Sequence, residues 1–194
     1  MRVVAAAAPV VWSNLVLPNL RLGMRGRTAA NATFATAYAL ALNQPVPLLT
    51  ARGVRWGIAA GLVPTAGYAV ALAVPRFRRT IADRSADSDV AFTEWLLVHI
   101  PVGTVYSEEV VFRKTLDPML GTPAAAAVFG LWHIQPARAA GDNVIGTVVV
   151  TAAAGLVFGW LRRRTNSVIA PALAHLAINA GGAVATRVAG RGGW

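Results

Sequence analysis

The second half of this sequence places ionisable side chains inside otherwise apolar stretches. Glu108 and Glu109 stand side by side in "SEEVVFRKTL", His133 ends "FGLWH", and "HLAIN" contains His175 and Asn179. Carboxylates and imidazoles are common proton carriers in catalysis, and an ionisable group at membrane depth indicates a functional site. The pattern predicts acid–base chemistry. We take Glu108, His133, His175 and Asn179 as its candidate catalytic residues.

Spacing gives the two neighbouring glutamates different surroundings. Glu109 and Arg113 are four residues apart, so they share a helix face and can pair within one helix. Glu108 projects about 100° away around the same helix and has no such partner. The expectation is that Glu109 and Arg113 form a supporting ion pair. Glu108 is free to act as a general base.

The composition is that of a membrane protein. Of 194 residues, 56% are hydrophobic and 13% are charged, whereas soluble domains carry about 25% charged residues. The chain has no cysteine, which excludes a thiol nucleophile and thiolate metal ligands. The net charge of +10 comes from arginines grouped between the apolar runs. That placement favours contact with lipid phosphate rather than nucleic acid.

These apolar runs predict an all-α fold, a polytopic membrane helix bundle with about seven spans of roughly 20 residues. The predicted spans are approximately 3–20, 28–49, 55–75, 91–113, 122–138, 143–161 and 167–187. They form one integral membrane domain, multi-pass in the cell membrane. Its parts are N-terminal spans and basic loops (1–89), a four-helix catalytic core (90–188) and a tail (189–194).

Helix rise places the candidate residues at one level of the bilayer. Counted from the turns on one side of the membrane, at Asp117, Gly121 and Asn166, Glu108 lies roughly 15 Å deep, His133 roughly 18 Å and His175 roughly 14 Å, at about 1.5 Å per residue. The ionisable groups of three helices therefore lie at a similar depth in the bilayer. The sequence predicts that these groups meet in one polar site.

The three motifs resemble the signatures of a known family. "EEVVFR", "FGLWH" and "HLAIN" fit Glu-Glu-x-x-x-Arg, Phe-x-x-x-His and His-x-x-x-Asn/Asp, in the order found in the CPBP family. This family comprises the CAAX prenyl proteases and the bacteriocin-processing (Abi) intramembrane proteases. The resemblance covers about residues 90–188. It implies a membrane-embedded endopeptidase whose site Glu109 and Arg113 hold together.

The resemblance also implies roles for the other motif residues. Glu108 and His133 would activate a water for attack on the scissile carbonyl, and His175 and Asn179 would stabilise the oxyanion. Glu108, His133 and His175 could instead supply three zinc ligands with an open fourth position. The helix-borne H-E-x-x-H motif is absent. We therefore favour a mechanism with no cofactor and keep zinc as the alternative.

The expected partners are a membrane-associated or lipidated peptide or protein as substrate, and the lipid bilayer, with no nucleic acid. Two other functions stay open. Buried carboxylate and histidine also form the proton relays of a proton-coupled transporter, although repeat symmetry would then be expected and the sequence has no internal repeat. A catalytically idle immunity or scaffold protein on the same fold would keep the same motifs.

Overall fold

The computed structural model describes residues 1–82 and 89–190, and these ranges consist of helices and their connections, without a strand. The prediction of an all-α fold is confirmed. The helices, in chain order, are α1 (2–19), α2 (Met24–Leu42), α3 (Ala51–Ala73), α4 (Pro75–Ala82), α5 (92–120), α6 (Thr122–Trp132), α7 (Ile134–Ala140), α8 (Val144–Thr165) and α9 (Ile169–Gly190).

Among the described residues, three helices are long and apolar enough to cross a membrane, namely α3, α8 and α9. The predicted count of seven spans is therefore not confirmed, and neither is the four-helix core. One reason is that α6 ends at Trp132 after 11 residues, where the sequence predicted a span to 138. Another is that α5 carries several charged groups, which an apolar span rarely tolerates. The domain boundaries stay predictions.

Two of the described helices contain π-helical turns. In α1 these turns cover Trp12–Val16, and in α5 they cover Trp95–Tyr106 and Val110–Leu116. The short α-helical stretch Ser107–Glu109, with both glutamates, lies between the two π segments of α5. Because π-helical turns are rare and often occur at functional sites, their position around the glutamates singles out this part of α5.

The end of α5 is fixed to α8 through a buried carboxylate. Asp117 accepts hydrogen bonds from the Thr122 hydroxyl and from Nε of Arg162, the latter at 3.0 Å. Asp117 is 3% exposed. This carboxylate lies in the part of α5 that continues beyond residue 113, where the span was predicted to end, as far as Leu120. Its bond to Arg162 fixes the position of α8 along the axis of α5.

Glycines bring α3 against α9, the helix that carries His175. Gly53, Gly57 and Gly61 are buried at four-residue spacing, which lets two helices approach closely. A Cβ added at Gly57 would lie 2.9 Å from the carbonyl oxygen of Ala170. The close contact between α3 and α9 therefore depends on the missing side chain.

We expect Gly57→Ala to lower the free energy of unfolding by about 1–3 kcal/mol, the range for overpacked sites. The matched control is Gly67→Ala in the same helix, where an added Cβ meets nothing within 4 Å. Thermal unfolding in detergent measures both variants. Equal stability of the two variants would contradict the packing described for α3 and α9.

Candidate active site

Side chains from three parts of the fold meet at Glu108. Its Oε2 atom lies 3.9 Å from Nε2 of His133 and 3.7 Å from Nε2 of His175. Glu108 and His175 are buried, and the His133 side chain is 18% exposed. The structure thus brings together three of the four side chains predicted to be catalytic. The distances are too long for direct hydrogen bonds and suit a water-mediated contact.

Hydrogen bonds on the far sides of the rings orient both histidines. Nδ1 of His133 lies 2.8 Å from the carbonyl oxygen of Phe129, and Nδ1 of His175 lies 2.9 Å from Oε1 of Glu109. A carbonyl oxygen only accepts, so Nδ1 of His133 carries the hydrogen. A Glu109 carboxylate selects the same tautomer in His175. Both Nε2 atoms then face Glu108 as acceptors, and the cluster needs a donor, either a water or an imidazolium.

Glu109 and Arg113 pair within α5, as predicted. Nη1 of Arg113 lies 3.2 Å from Oε1 of Glu109, and the two side chains are 2% and 1% exposed. The guanidinium also lies over the rings of Phe129, at 4.1 Å, and Phe158, at 4.9 Å. Because Oε1 of Glu109 also meets His175, this carboxylate links the ion pair to the candidate catalytic ring. That link was not predicted from the sequence.

Phe158 is a residue of the site that the sequence analysis missed. Its ring stacks on His175, with centroids 5.0 Å apart and an angle of 26° between the planes. A sequence signal was available, because Gly155 and Gly159 form a G-x-x-x-G pattern around it. A Cβ at Gly155 would lie 3.0 Å from Cα of Ala126. The small residues bring α8 against α6 and carry Phe158 to the histidine.

Asn179 is connected to the cluster through the backbone of its own helix. Its side-chain nitrogen donates to the carbonyl oxygen of His175 at 3.2 Å. Within residues 1–82 and 89–190, no hydrogen bond joins Asn179 to Glu108 or His133. Its amide keeps a second N–H that is available for another acceptor.

The donor types of Glu108, His133 and His175 are those of a zinc site. Across the described part of the chain, however, no group of three His, Cys, Asp or Glu side chains is arranged to hold a metal ion. The predicted zinc alternative therefore has no ready-made site in this arrangement. The expectation of no cofactor stays a prediction.

The fold and the buried cluster define a helical membrane protein with a potential acid–base site. Residues 90–181 match the family model of the type II CAAX prenyl endopeptidases, described as Rce1-like. This match covers just under half of the chain, and it confirms the resemblance seen in the three motifs. The match includes every predicted site residue. No curated protein and no solved structure matches the chain.

Proposed function

We propose that this protein is an intramembrane endopeptidase that cleaves membrane-associated or lipidated peptides or proteins by means of an activated water. The observation that carries the proposal is the position of Oε2 of Glu108. This atom lies 3.9 Å from Nε2 of His133 and 3.7 Å from Nε2 of His175. The family match supports the reaction class. The protein is multi-pass in the cell membrane, with the predicted seven spans as its topology.

Glu108 acts as the general base. A water held between Oε2 of Glu108 and Nε2 of His133 gives a proton to the carboxylate as its oxygen attacks the scissile carbonyl carbon. The carbonyl electron pair moves to the oxygen and forms a tetrahedral oxyanion. Glu108, now protonated, returns the proton to the amide nitrogen as the C–N bond breaks. His133 orients the water and shares the proton during this transfer.

His175 stabilises the oxyanion. Its Nε2 atom donates a hydrogen bond only when the ring is an imidazolium, and the carboxylate of Glu109 lies 2.9 Å from Nδ1 on the opposite side of the ring. The remaining N–H of Asn179 supplies a second donor. One such donor contributes on the order of 3 kcal/mol of transition-state stabilisation. Arg113 pairs with the same Oε1 atom of Glu109 and so holds this carboxylate against the ring.

An apolar cavity supports a substrate that reaches the site from the membrane. The cavity has a volume of about 570 Å³ and lies between α3, α8 and α9. Trp56, Val63 and Ile178 line its walls, and Phe158 lines the side nearest His175. Its lining is almost entirely apolar, which suits hydrophobic side chains or a lipid chain.

Cleavage profiling tests the proposal. Purified protein in detergent is incubated with a library of apolar and lipidated peptides, beside the Glu108→Ala variant. We expect defined cleavage products with the wild type and none with the variant. Proton flux through the wild type in proteoliposomes, without cleavage, would establish the transporter alternative. Inactivity in both assays would favour the idle scaffold.

Removal of metal provides a separate prediction. We expect no stoichiometric zinc in the purified protein and full peptide cleavage after treatment with a strong chelator, because base and oxyanion donors are all side chains. Elemental analysis and residual activity measure the two quantities. One zinc per chain, lost in His175→Ala together with activity, would overturn the mechanism without metal.

A further inference from the structure

The break between α6 and α7 falls on His133. α6 ends at Trp132 and α7 begins at Ile134, and His133 between them has φ −90° and ψ 4°. In an uninterrupted helix, the carbonyl oxygen of Leu131 would accept the N–H of Gln135. The break opens that bond. The orientation of the candidate catalytic ring therefore depends on what holds the opened backbone groups.

The side chain of Asn14 bridges the opened bond. Its nitrogen donates to the carbonyl oxygen of Leu131 at 2.9 Å, and its oxygen accepts the N–H of Gln135 at 2.7 Å. The same nitrogen also donates to Val10 of its own helix at 2.9 Å. One amide thus takes the place of the helical hydrogen bond and holds its two ends apart.

Ser13 forms a hydrogen bond with the next backbone carbonyl at the break, that of Trp132. Its hydroxyl donates to the carbonyl oxygen of Trp132 at 2.7 Å, and Ser13 is 4% exposed. A continuous helix would pair this carbonyl with residue 136, but Pro136 has no N–H. Ser13 and Asn14 both lie in the π-helical segment of α1, Trp12–Val16. That segment presents two neighbouring polar side chains to the two carbonyls that precede His133.

From this geometry we infer that Asn14, with Ser13, is a positioning residue for catalysis: it keeps the helix open at His133 so that the ring faces Glu108. The inference rests on the proposed function. It gives the N-terminal helix, which lies outside the family match at 90–181, a part in the reaction. A role in stability alone makes a different prediction, namely a lower unfolding temperature with an unchanged kcat.

The test compares Asn14→Leu with Asn19→Leu. Asn19 is the matched control, since its side-chain nitrogen donates to Leu15 of its own helix. We expect Asn14→Leu to lower kcat on the order of 100-fold, the effect of a misplaced catalytic group, while KM and the unfolding temperature change little. Asn14→Asp, which keeps the acceptor for Gln135, should retain more activity. Asn19→Leu should behave as wild type.

A second measurement does not depend on cleavage. The chain has three histidines, so a spectrum of ¹⁵N-histidine-labelled protein in detergent is assigned with one variant for each ring. Asn14→Leu should shift the ring resonances of His133 and leave those of His99 unchanged. Unmoved His133 resonances, or a loss of stability with unchanged kcat, would overturn the inference. If the wild type cleaves no peptide, the proposed function fails, and the spectra alone decide whether Asn14 positions His133.

Discussion

Glu108→Gln should give a folded protein whose kcat for peptide cleavage is lowered by about 100-fold or more, the range attributed to a general base. The amide keeps the size of the carboxyl group but accepts no proton from water. Folding should be nearly unaffected, because Oε2 of Glu108 has no direct hydrogen bond to lose among the described residues.

The measurement is initial rate per folded molecule, together with thermal unfolding in detergent. Glu94→Gln is the matched control. Glu94 is a glutamate of the same helix, and its carboxylate pairs with Arg25 and His99, away from the cluster. Near-normal turnover in Glu108→Gln would show that the base has been assigned to the wrong glutamate.

Glu109→Gln and Arg113→Ala should mainly destabilise the protein, by about 3–5 kcal/mol each, because removal of one partner leaves the other charge buried and unpaired. Both side chains are almost fully buried, at 1% and 2% exposure. The hydrogen bond between Glu109 and His175 adds a second effect. The glutamine can still accept from Nδ1 but places no negative charge beside the ring, so the folded fraction of Glu109→Gln should also turn over slowly.

Unfolding in detergent and activity per folded molecule separate these two effects. The double variant Glu109→Gln with Arg113→Met, which removes both charges, should regain much of the lost stability without regaining full activity. That result would assign stability to the ion pair and activity to the carboxylate. A stable but inactive Glu109→Gln would instead place Glu109 among the residues that carry the reaction itself.

The sequence determined the helical class and the chemistry-bearing residues through local spacing. Apolar runs predicted helices, and four-residue intervals predicted the pairing of Glu109 with Arg113. Matched depth also predicted that Glu108, His133 and His175 would meet, because helix rise per residue is nearly constant. These inferences need only the geometry of single helices. The number of membrane spans was not settled in this way, because charges in α5 and the break after Trp132 interrupt the apolar pattern.

Tertiary structure alone decided which atoms complete the site. The hydrogen bond from His175 to Glu109 joins residues 66 apart in the chain, and the bond from the Gln135 N–H to Asn14 joins residues 121 apart. No periodicity within one helix encodes such contacts, because they depend on how helices cross and rotate against each other. The sequence therefore specified which residues could react, whereas the packing of α1, α5, α6 and α9 decided which side chains orient them.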